Sequence, residues 1–179
     1  VAFGLRSEFP EIEQVMRVNT PNSQVVRYTR PDGELMAINE ERILVADSNF
    51  FSFFDFKLQE GDPNTALVGI GKVVLSDKTA KKLFGDEPAL GKILLVGDKR
   101  ISVEVTGVTE TQPTNVHFNF DYLFSMYTNQ AVKEFDWSWI WTQVVTYVKL
   151  RPDASSVALY AKLKSFANRA ALPTFQRLN

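Results

Sequence analysis

Short runs of apolar residues, several of them alternating with polar residues, recur along the chain and are separated by residues typical of turns. Runs rich in β-branched and aromatic side chains predict β-strands. The runs that predict strands are residues 15–18, 25–28, 35–38, 43–46, 72–75, 92–96, 101–108, 117–125 and 142–150. Two neighbouring pairs are separated by Pro31-Asp32-Gly33 and by residues 97–100, which predicts two β-hairpins.

Residues 76–85 have the features of a capped helix that follows a strand. Ser76 can accept hydrogen bonds from the free amide groups of the first turn, and Asp77 suits the positive end of the helix dipole. The apolar residues that share one helical face are Ala80, Leu83 and Phe84. Because Gly85 tolerates the left-handed conformation that ends many helices, we predict that the helix stops there.

Further helices are predicted at both ends of the chain. The first has apolar residues at helical spacing, namely Leu5, Phe9 and Ile12. Pro10 predicts a break or a second start within it. Ser155 or Ser156 caps the start of the last helix. Most of its amphipathic pattern is supplied by Val157, Tyr160, Ala161, Leu163, Lys164 and Phe166. We expect this face to pack on the sheet. Hairpins with helices inserted between them predict the α+β class, with mixed or antiparallel sheets and packed helices.

Two aromatic clusters allow more than one interpretation. The first is Phe50, Phe51, Phe53, Phe54 and Phe56. We interpret it as a short helix pinned into the core, because phenylalanine is commonly buried, with a ligand pocket or a partner patch as the alternative. The second is Trp137, Trp139 and Trp141, whose rings share one face if the segment is extended. Local packing and a binding platform both fit it, so these three are the candidate contact residues for a partner or substrate.

The composition is that of a folded protein without a strong net charge. The 179 residues are 45% hydrophobic and 23% charged, near the average for globular proteins. Twenty basic residues against 21 acidic ones give a formal net charge of -1, which disfavours nucleic acid as a partner. Because cysteine is absent, disulfides, thiolate catalysis and cysteine-bound zinc are excluded. The length suits one domain, or two small lobes that share a core.

The residue patterns give no positive sign of catalysis. His117 is the only histidine, and no serine-and-acid pattern of a known catalytic form stands near it. Residues 69–72 resemble a phosphate loop only superficially, since Ala66 replaces the first glycine and Val73 replaces the magnesium-binding Ser or Thr. We therefore predict that the chain is not an enzyme and has no catalytic residue, cofactor or metal site.

The two ends of the chain suggest a part of something longer. The sequence starts Val1-Ala2-Phe3, without methionine, and no apolar run approaches the ~20 residues that a transmembrane helix needs. A longer parent protein leaves room for transmembrane helices outside this chain.

Seven motifs, taken in order, carry a resemblance to a known family. They are residues 9–13, 45–51, 56–62, 73–85, 90–92, 105–108 and 115–121, which read FPEIE, VADSNFF, FKLQEGD, VVLSDKTAKKLFG, LGK, VTGV and NVHFNFD. Each motif is weak alone, but their order and spacing are specific together. By these motifs the chain resembles the MacB-like periplasmic core domain of FtsX-type ABC transporter permeases, particularly the long permeases of Bacteroidetes.

The resemblance implies that residues 1–179 form a single extracytoplasmic core domain of two interleaved α/β lobes, porter-like and sabre-like. It also implies a periplasmic location between the first two transmembrane helices of a bacterial inner-membrane permease. The implied partner is a separate cytoplasmic ABC ATPase, reached through the membrane region of the permease. The full-length permease is implied to be a dimer, whereas we expect the isolated domain to be monomeric.

For function, the resemblance implies non-catalytic mechanotransmission. The domain would couple cytoplasmic ATP hydrolysis to the handling of an extracytoplasmic protein, peptide or lipid, without binding nucleotide itself. No catalytic residues carry over, because the motifs of the family are chiefly folding motifs. The stretch from Trp137 to Trp141 belongs to no motif of the family, so it holds either the specificity of this member or only local packing. The alternative is a free-standing periplasmic domain that binds a ligand or protein in an aromatic pocket.

Overall fold

A mixed ten-stranded sheet forms the centre of the fold. The computed structural model describes residues 2–112, 116–117, 119–128 and 144–178. The strands are β1 Ile12–Asn19, β2 Gln24–Thr29, β3 Leu35–Glu40, β4 Ile43–Ala46, β5 Leu58–Gly61, β6 Lys72–Leu75, β7 Ile93–Val96, β8 Ile101–Thr109, β9 Tyr122–Ser125 and β10 Val144–Leu150. The helices are α1 Ala2–Glu8, α2 Phe50–Phe54, α3 Asp77–Phe84 and α4 Ser156–Leu178, with a short 3-10 turn at Met126–Thr128.

The strand order differs from the chain order. It is β10-β1-β4-β9-β6-β8-β7-β2-β3, and β5 pairs with β8 beside this path. The pairs β4 with β9 and β6 with β8 are parallel, and the other pairs are antiparallel. The ladder between β1 and β10 extends from Ile12 opposite Leu150 to Asn19 opposite Val144. The mixed sheet and the packed helices confirm the predicted α+β class.

Elements with strong local signals form as predicted. The hairpins β2-β3 and β7-β8 pair in antiparallel register. The hydroxyl of Ser76 accepts a hydrogen bond from the amide of Thr79 at 3.2 Å, and α3 starts at the next residue after Ser76. Gly85 ends α3 with a φ of 63° while its amide donates to the carbonyl of Lys81. Serine capping and a left-handed glycine therefore set the two ends of α3.

The two faces of the central strands bury separate cores. Odd-numbered residues of β4 such as Ile43 and Val45 lie in one core with Leu83 and Phe84 of α3, which we call the α3-side core. Even-numbered residues such as Leu44 and Ala46 lie in a second core with the phenylalanines of α2, which we call the α2-side core. Because successive side chains of a strand point to opposite faces, a strand buried on both faces is continuously apolar.

A third core joins the elements from the two ends of the chain. Its residues come from α1, β1 and α4: Ala2, Leu5, Phe9, Ile12, Val15, Leu159 and Phe166, and we call it the terminal core. The rings of Phe9 and Phe166 meet edge to face with centroids 5.3 Å apart. The terminal helices are thereby fixed beside the β1-β10 edge of the sheet.

Three details of the predicted elements are wrong. The opening helix ends at Glu8, and Ile12 starts β1 instead of continuing the helical face. Residues 119–121 lie outside the sheet and the strand starts only at Tyr122, because the side chain of Gln112 bonds both the amide and the carbonyl of Phe120 and so satisfies that backbone. On α4, Val157 and Tyr160 are 78% and 77% exposed although the pattern placed them on the packed face. Ala161 and Lys164 are exposed as well. Among the side chains of α4 that the structure describes, Leu159 and Phe166 are the buried ones. The division into two lobes stays a prediction.

Candidate functional site

A groove of about 850 Å³ opens on the face of the sheet that carries the α3-side core. Its apolar lining residues are Ile43, Val45, Val96, Ile101, Val103 and Phe124. They come from β4, β7, β8 and β9, so the groove crosses several neighbouring strands. Ile101 is 45% exposed, while Val103 and Phe124 are almost fully buried at the base. Such a lining is suited to contact with an apolar group, because the contact removes apolar surface from water on both partners.

Polar residues form the rim of this groove. They are Gln24, Asp98, Lys99, Ser125 and Thr128. Asp98 and Lys99 belong to the tip of the β7-β8 hairpin, whose Gly97 carbonyl accepts a hydrogen bond from Arg27 at 2.9 Å. The Thr128 hydroxyl accepts from the amide of Gly71 at 2.9 Å, and Ser125 donates to the carbonyl of Gly69 at 2.6 Å. The glycines of the former phosphate-loop candidate therefore brace the rim of the groove through their backbone.

A buried polar network lies beside α3. The hydroxyl of Tyr122 donates to Oε1 of Glu40 at 3.1 Å, and the same oxygen accepts from the Lys82 ammonium at 2.8 Å. Burial raises the pKa of Tyr122 strongly, and the negative charge of Glu40 raises it further. At neutral pH the phenol is therefore a fixed hydrogen-bond donor. The network ties α3 to β3 and β9 and is a structural element rather than an acid–base site.

The tryptophans predicted as contact residues lie outside the described residues. Trp137, Trp139 and Trp141 belong to residues 129–143. The described residues on either side of this range are Thr128, which lines the groove, and Val144. Val144 lies opposite Asn19 of β1, and Asn19 lies opposite Val45 of the groove floor. The chain thus leaves and rejoins the described structure next to the groove.

His117 bonds to a tyrosine hydroxyl. Its Nε2 lies 2.8 Å from the hydroxyl of Tyr147, and the two rings lie close, with centroids 5.6 Å apart. The ring of Phe54 contacts both, with centroids 6.2 Å from His117 and 5.2 Å from Tyr147. The histidine therefore fastens the segment before β9 to β10, which agrees with a structural rather than a catalytic interpretation.

Most of the phenylalanine cluster is core. Phe50 is fully buried, and its ring meets those of Phe51, Phe54 and Phe56 at centroid distances of 5.3 to 5.4 Å. Phe53 and Phe54 are only partly buried. A cavity of about 340 Å³ adjoins Phe51 and Phe56, but charged and polar side chains such as Asp55, Lys57 and Glu110 line much of it. The cluster serves mainly to pin α2 to the sheet.

Within residues 2–112, 116–117, 119–128 and 144–178, no three side chains among His, Asp and Glu stand close enough to hold a metal ion together. None of the helices there combines the length and the apolar character needed to cross a bilayer.

Sequence reasoning missed the groove and the polar network, because both depend on which strands become neighbours. Lysine and glutamate are mostly exposed in proteins, so their residue types do not single out Lys99 or Glu40. The alternation of Ile101 and Val103 along β8 was a usable signal that these two share a face. It could not reveal that Ile43 and Phe124 share that face, since β4, β8 and β9 are far apart in the chain.

The comparisons with known proteins agree with this fold. The family model of the MacB-like periplasmic core domain matches residues 1–166. A domain of a Porphyromonas gingivalis protein named as a permease has 25% identity and a TM-score of 0.76 over 95% of this chain and 69% of that chain. The periplasmic region of MacB from Actinobacillus actinomycetemcomitans has 22% identity and a TM-score of 0.63, covering 93% of this chain and 72% of that one.

A third solved structure is the extracellular domain of the noncanonic ABC-type transporter YknZ from Gram-positive bacteria. It has 22% identity and a TM-score of 0.58, and the match covers 97% of this chain and 83% of that one. The structures at 22% identity support the fold alone. No curated protein matches the chain. The match to the family model over most of the length confirms the resemblance and the periplasmic location that the motifs implied. The chain belongs to the MacB-like periplasmic core domain family and is a periplasmic domain of a MacB-like ABC transporter permease.

Proposed function

We propose that this domain couples ATP hydrolysis by a cytoplasmic ABC ATPase to the handling of a substrate or partner outside the cytoplasm, and that it catalyses no reaction itself. The ATPase is the partner that the permease family implies. The observation that carries the proposal is the packing of the two terminal helices against each other and against one edge of the sheet.

Ion pairs join the end of α1 and the residues after it to α4, and the two helices share the terminal core. Glu8 pairs with Arg169, and Glu11, just after α1, pairs with Lys162. A displacement applied to one helix would therefore be passed to the other.

From these helices the displacement has a direct path into the sheet. The chain passes from α1 into β1 and from β10 into α4, and β1 and β10 pair over their whole lengths. The pairing is regular from Gln14 to Asn19, after a register shift between Ile12 and Gln14. Such an antiparallel ladder resists shear, because sliding one strand along the other would break its hydrogen bonds. The terminal helices and these two strands are therefore the part of the domain that would receive motion from the membrane region.

For the surface that contacts the extracytoplasmic substrate or partner we propose Trp137, Trp139 and Trp141, together with the groove. The positions of Thr128 and Val144 beside the groove support this grouping. Tryptophan combines a large apolar surface with one hydrogen-bond donor and is enriched where proteins bind partners. A protein, peptide or lipid with an exposed apolar group is the expected contact.

The coupling can be tested in the full-length permease with its ATPase. A spin label at Lys164→Cys, on the exposed side of α4, is paired with a label on the ATPase, since this chain contributes no other thiol. We expect the distance between the labels to change when ATP is added. An ATPase variant that cannot bind ATP should remove the change. An α4 label that is insensitive to ATP in the intact complex would disprove coupling through this domain.

The contact role can be tested by fluorescence. All three tryptophans of the chain lie between residues 137 and 141, so tryptophan emission reports on this stretch alone. A candidate extracytoplasmic partner should shift or quench this emission, and substitution of the three tryptophans by phenylalanine should weaken its binding. Unchanged binding by the substituted chain would remove the tryptophans from the contact surface.

We also propose that residues 1–179 form one core domain of two interleaved lobes. We propose separately that the full-length permease is a dimer and that the isolated domain is a monomer. Sedimentation of both forms tests the assembly, and a dimer of the isolated domain would contradict it.

A further inference from the structure

The geometry points to the ion pair of Arg17 and Asp47 as the joint through which movement of α1 and α4 reaches the rest of the sheet. This inference rests on the proposed coupling function. Arg17 lies in β1, within the part that receives the motion, and Asp47 directly follows β4, within the central sheet. The proposal identifies a positioning pair, not a site of chemistry.

The backbone connection between these two parts is narrow. Along the described sheet, β1 joins β4 by only two residue pairs, Val18 opposite Ala46 and Asn19 opposite Val45. By contrast, β1 follows β10 over its whole length. A ladder of two residue pairs holds few hydrogen bonds and permits the strands to pivot about it. Side chains must therefore fix the angle between the two parts.

The Arg17 and Asp47 pair is placed to do this. Nη2 of Arg17 donates to Oδ1 of Asp47 at 2.7 Å, and Nε donates to Oδ2 at 3.0 Å. The backbone amide of Arg17 also donates to Oδ2, at 2.8 Å, and the amide of Asp47 returns a bond to the carbonyl of Arg17 at 3.1 Å. Side chain and backbone of both residues are thus bonded to each other, which fixes orientation as well as distance.

Burial makes this pair costly to open. The side chain of Arg17 is only 8% exposed to solvent, and that of Asp47 only 16%. Separating them would leave two charges with little access to water, so the pair has one strongly favoured arrangement. The apolar contacts between the two parts are more adaptable. Met16 of β1 and Tyr147 of β10 pack against the phenylalanines of α2 in the α2-side core, and contacts of this kind have no fixed direction. One hydrogen bond between His117 and Tyr147 also links the two parts, but a single bond fixes their orientation less than the several bonds of the ion pair.

A second polar contact supports the same joint. The amide of Asn49, just before α2, donates to the carbonyl of Val15 of β1 at 3.1 Å. Asp47 and Asn49 together bind the backbone of β1 from one short stretch between β4 and α2. A rotation of β1 would therefore move β4 and α2 as well. Because β4 forms part of the groove floor, the groove would move with it.

The experiment follows motion on both sides of the joint in the full-length permease with its ATPase. One label at Lys164→Cys reports on α4, and a separate one at Leu35→Cys reports on β3, the opposite edge of the sheet, where Leu35 is 54% exposed. Each is paired with a label on the ATPase. When the Arg17 and Asp47 pair is intact, we expect both label distances to change on addition of ATP.

The test variant is Arg17→Met with Asp47→Leu, since an apolar pair often replaces a buried ion pair without loss of stability. We expect the change at Lys164 to persist and the change at Leu35 to be lost. The matched control is Glu13→Gln with Lys149→Met, which removes an ion pair between β1 and β10 on one side of the joint. Both changes should survive in the control.

The outcomes separate the two proposals. An unaltered ATP-dependent change at Leu35 in the test variant would overturn the joint while leaving the coupling function intact. No change at Lys164 in the unsubstituted protein would overturn both. If the test variant does not fold, Arg17→Lys takes its place, because lysine keeps the charge but cannot form the two-armed bond. It should reduce the change at Leu35 and keep that at Lys164, and a full change at Leu35 would again reject the joint.

Discussion

Arg42 and Asp121 connect the segment before β4 to the segment before β9 by two charged hydrogen bonds. Nη2 of Arg42 donates to Oδ1 of Asp121 at 2.5 Å, and Nε donates to Oδ2 at 2.8 Å. The carbonyl of Asp121 also accepts from the amide of Ser76, the residue that caps α3. Burial alone would raise the pKa of Asp121, but the Arg42 guanidinium holds it below its ordinary value of 3.8.

The first prediction concerns Arg42→Met. Because the folded-state pKa of Asp121 is lowered, its contribution to stability is complete above the unfolded value and is lost as the pH falls through the folded value. Without Arg42 the largest part of this contribution is lost, and only the hydrogen bonds from Ser76 and Thr79 still lower the pKa of Asp121. We expect a loss of about 1 kcal/mol or less at neutral pH, since the arginine is half exposed to solvent. The variant should also lose less stability than the parent chain on acidification.

Urea unfolding at about pH 7 and about pH 3 measures both effects. The control is Arg30→Met, which removes an exposed pair with Glu34 and should leave the acid dependence unchanged. Equal acid dependence in the parent chain and in Arg42→Met would contradict the role given to Asp121.

The second prediction concerns Tyr122, whose pKa is raised above its ordinary value of 10.0 first by burial and then by Glu40. A raised folded-state pKa means that the contribution of this residue is fully present below the unfolded pKa and is lost as the pH rises beyond it. In an absorbance titration, Tyr122 should stay protonated until alkaline unfolding exposes it. Tyr122→Phe should unfold with a weaker dependence on alkaline pH and cost about 1 kcal/mol at neutral pH, because the bond to Glu40 is lost.

Tyr127→Phe is the matched control, since Tyr127 is 45% exposed. Its alkaline unfolding should follow that of the parent chain. Ionisation of all tyrosines before unfolding would show that Tyr122 is accessible in the folded chain.

The third prediction compares two glycines with similar left-handed backbone angles. Gly61 has a φ of +93°, and a Cβ there would lie 2.4 Å from the carbonyl oxygen of Thr106. Gly33 has a φ of +88° and open space around the same position. Gly33→Ala should therefore cost only the backbone strain, about 1–2 kcal/mol. Gly61→Ala must in addition push β5 from β8 and should cost clearly more.

Thermal and urea unfolding of the two variants gives the difference directly. Equal losses would mean that β5 can shift without cost, and the close approach of Gly61 to β8 would then have no structural weight.

The sequence was sufficient for features that depend on neighbouring residues. Ser76 and Gly85 mark the ends of α3, and Pro31-Asp32-Gly33 marks a hairpin, because capping and turn chemistry act within a few residues. The parallel pairing of β4 with β9 could not be predicted this way, since nothing local to Ile43 specifies Tyr122 as its neighbour. The groove depends on such pairings and was missed for the same reason.

Arg17 and Asp47 were missed for a related reason. Their residue types are ordinary on a protein surface, and only the antiparallel approach of β1 to β4 buries them together. The predicted face of α4 was centred on the wrong side, because several sides of this helix carry apolar residues and helical periodicity does not show which of them the rest of the fold covers. The buried stripe passes through Leu159, which the prediction left out, and Phe166, whereas Tyr160 is exposed.

The last prediction tests that stripe with Phe166→Ala and Tyr160→Ala. Phe166 is 5% exposed, meets the ring of Phe9 edge to face, and lies 3.3 Å from the place that a Cβ on Gly4 would occupy. Its loss leaves a cavity in the terminal core and should cost about 3–5 kcal/mol. Tyr160 is 77% exposed, so the same truncation should change stability by no more than about 0.5 kcal/mol.

Urea unfolding of the two variants measures this contrast, and hydrogen exchange shows where the loss falls. In Phe166→Ala the amides of α1 and α4 should exchange faster than those of the central strands, because α4 reaches the sheet mainly through the terminal core. A large loss in Tyr160→Ala would mean that the outer side of α4 is covered in the folded chain. Equal protection of α1 and β6 in Phe166→Ala would show that the terminal helices do not open before the central sheet, and they would then move only with it.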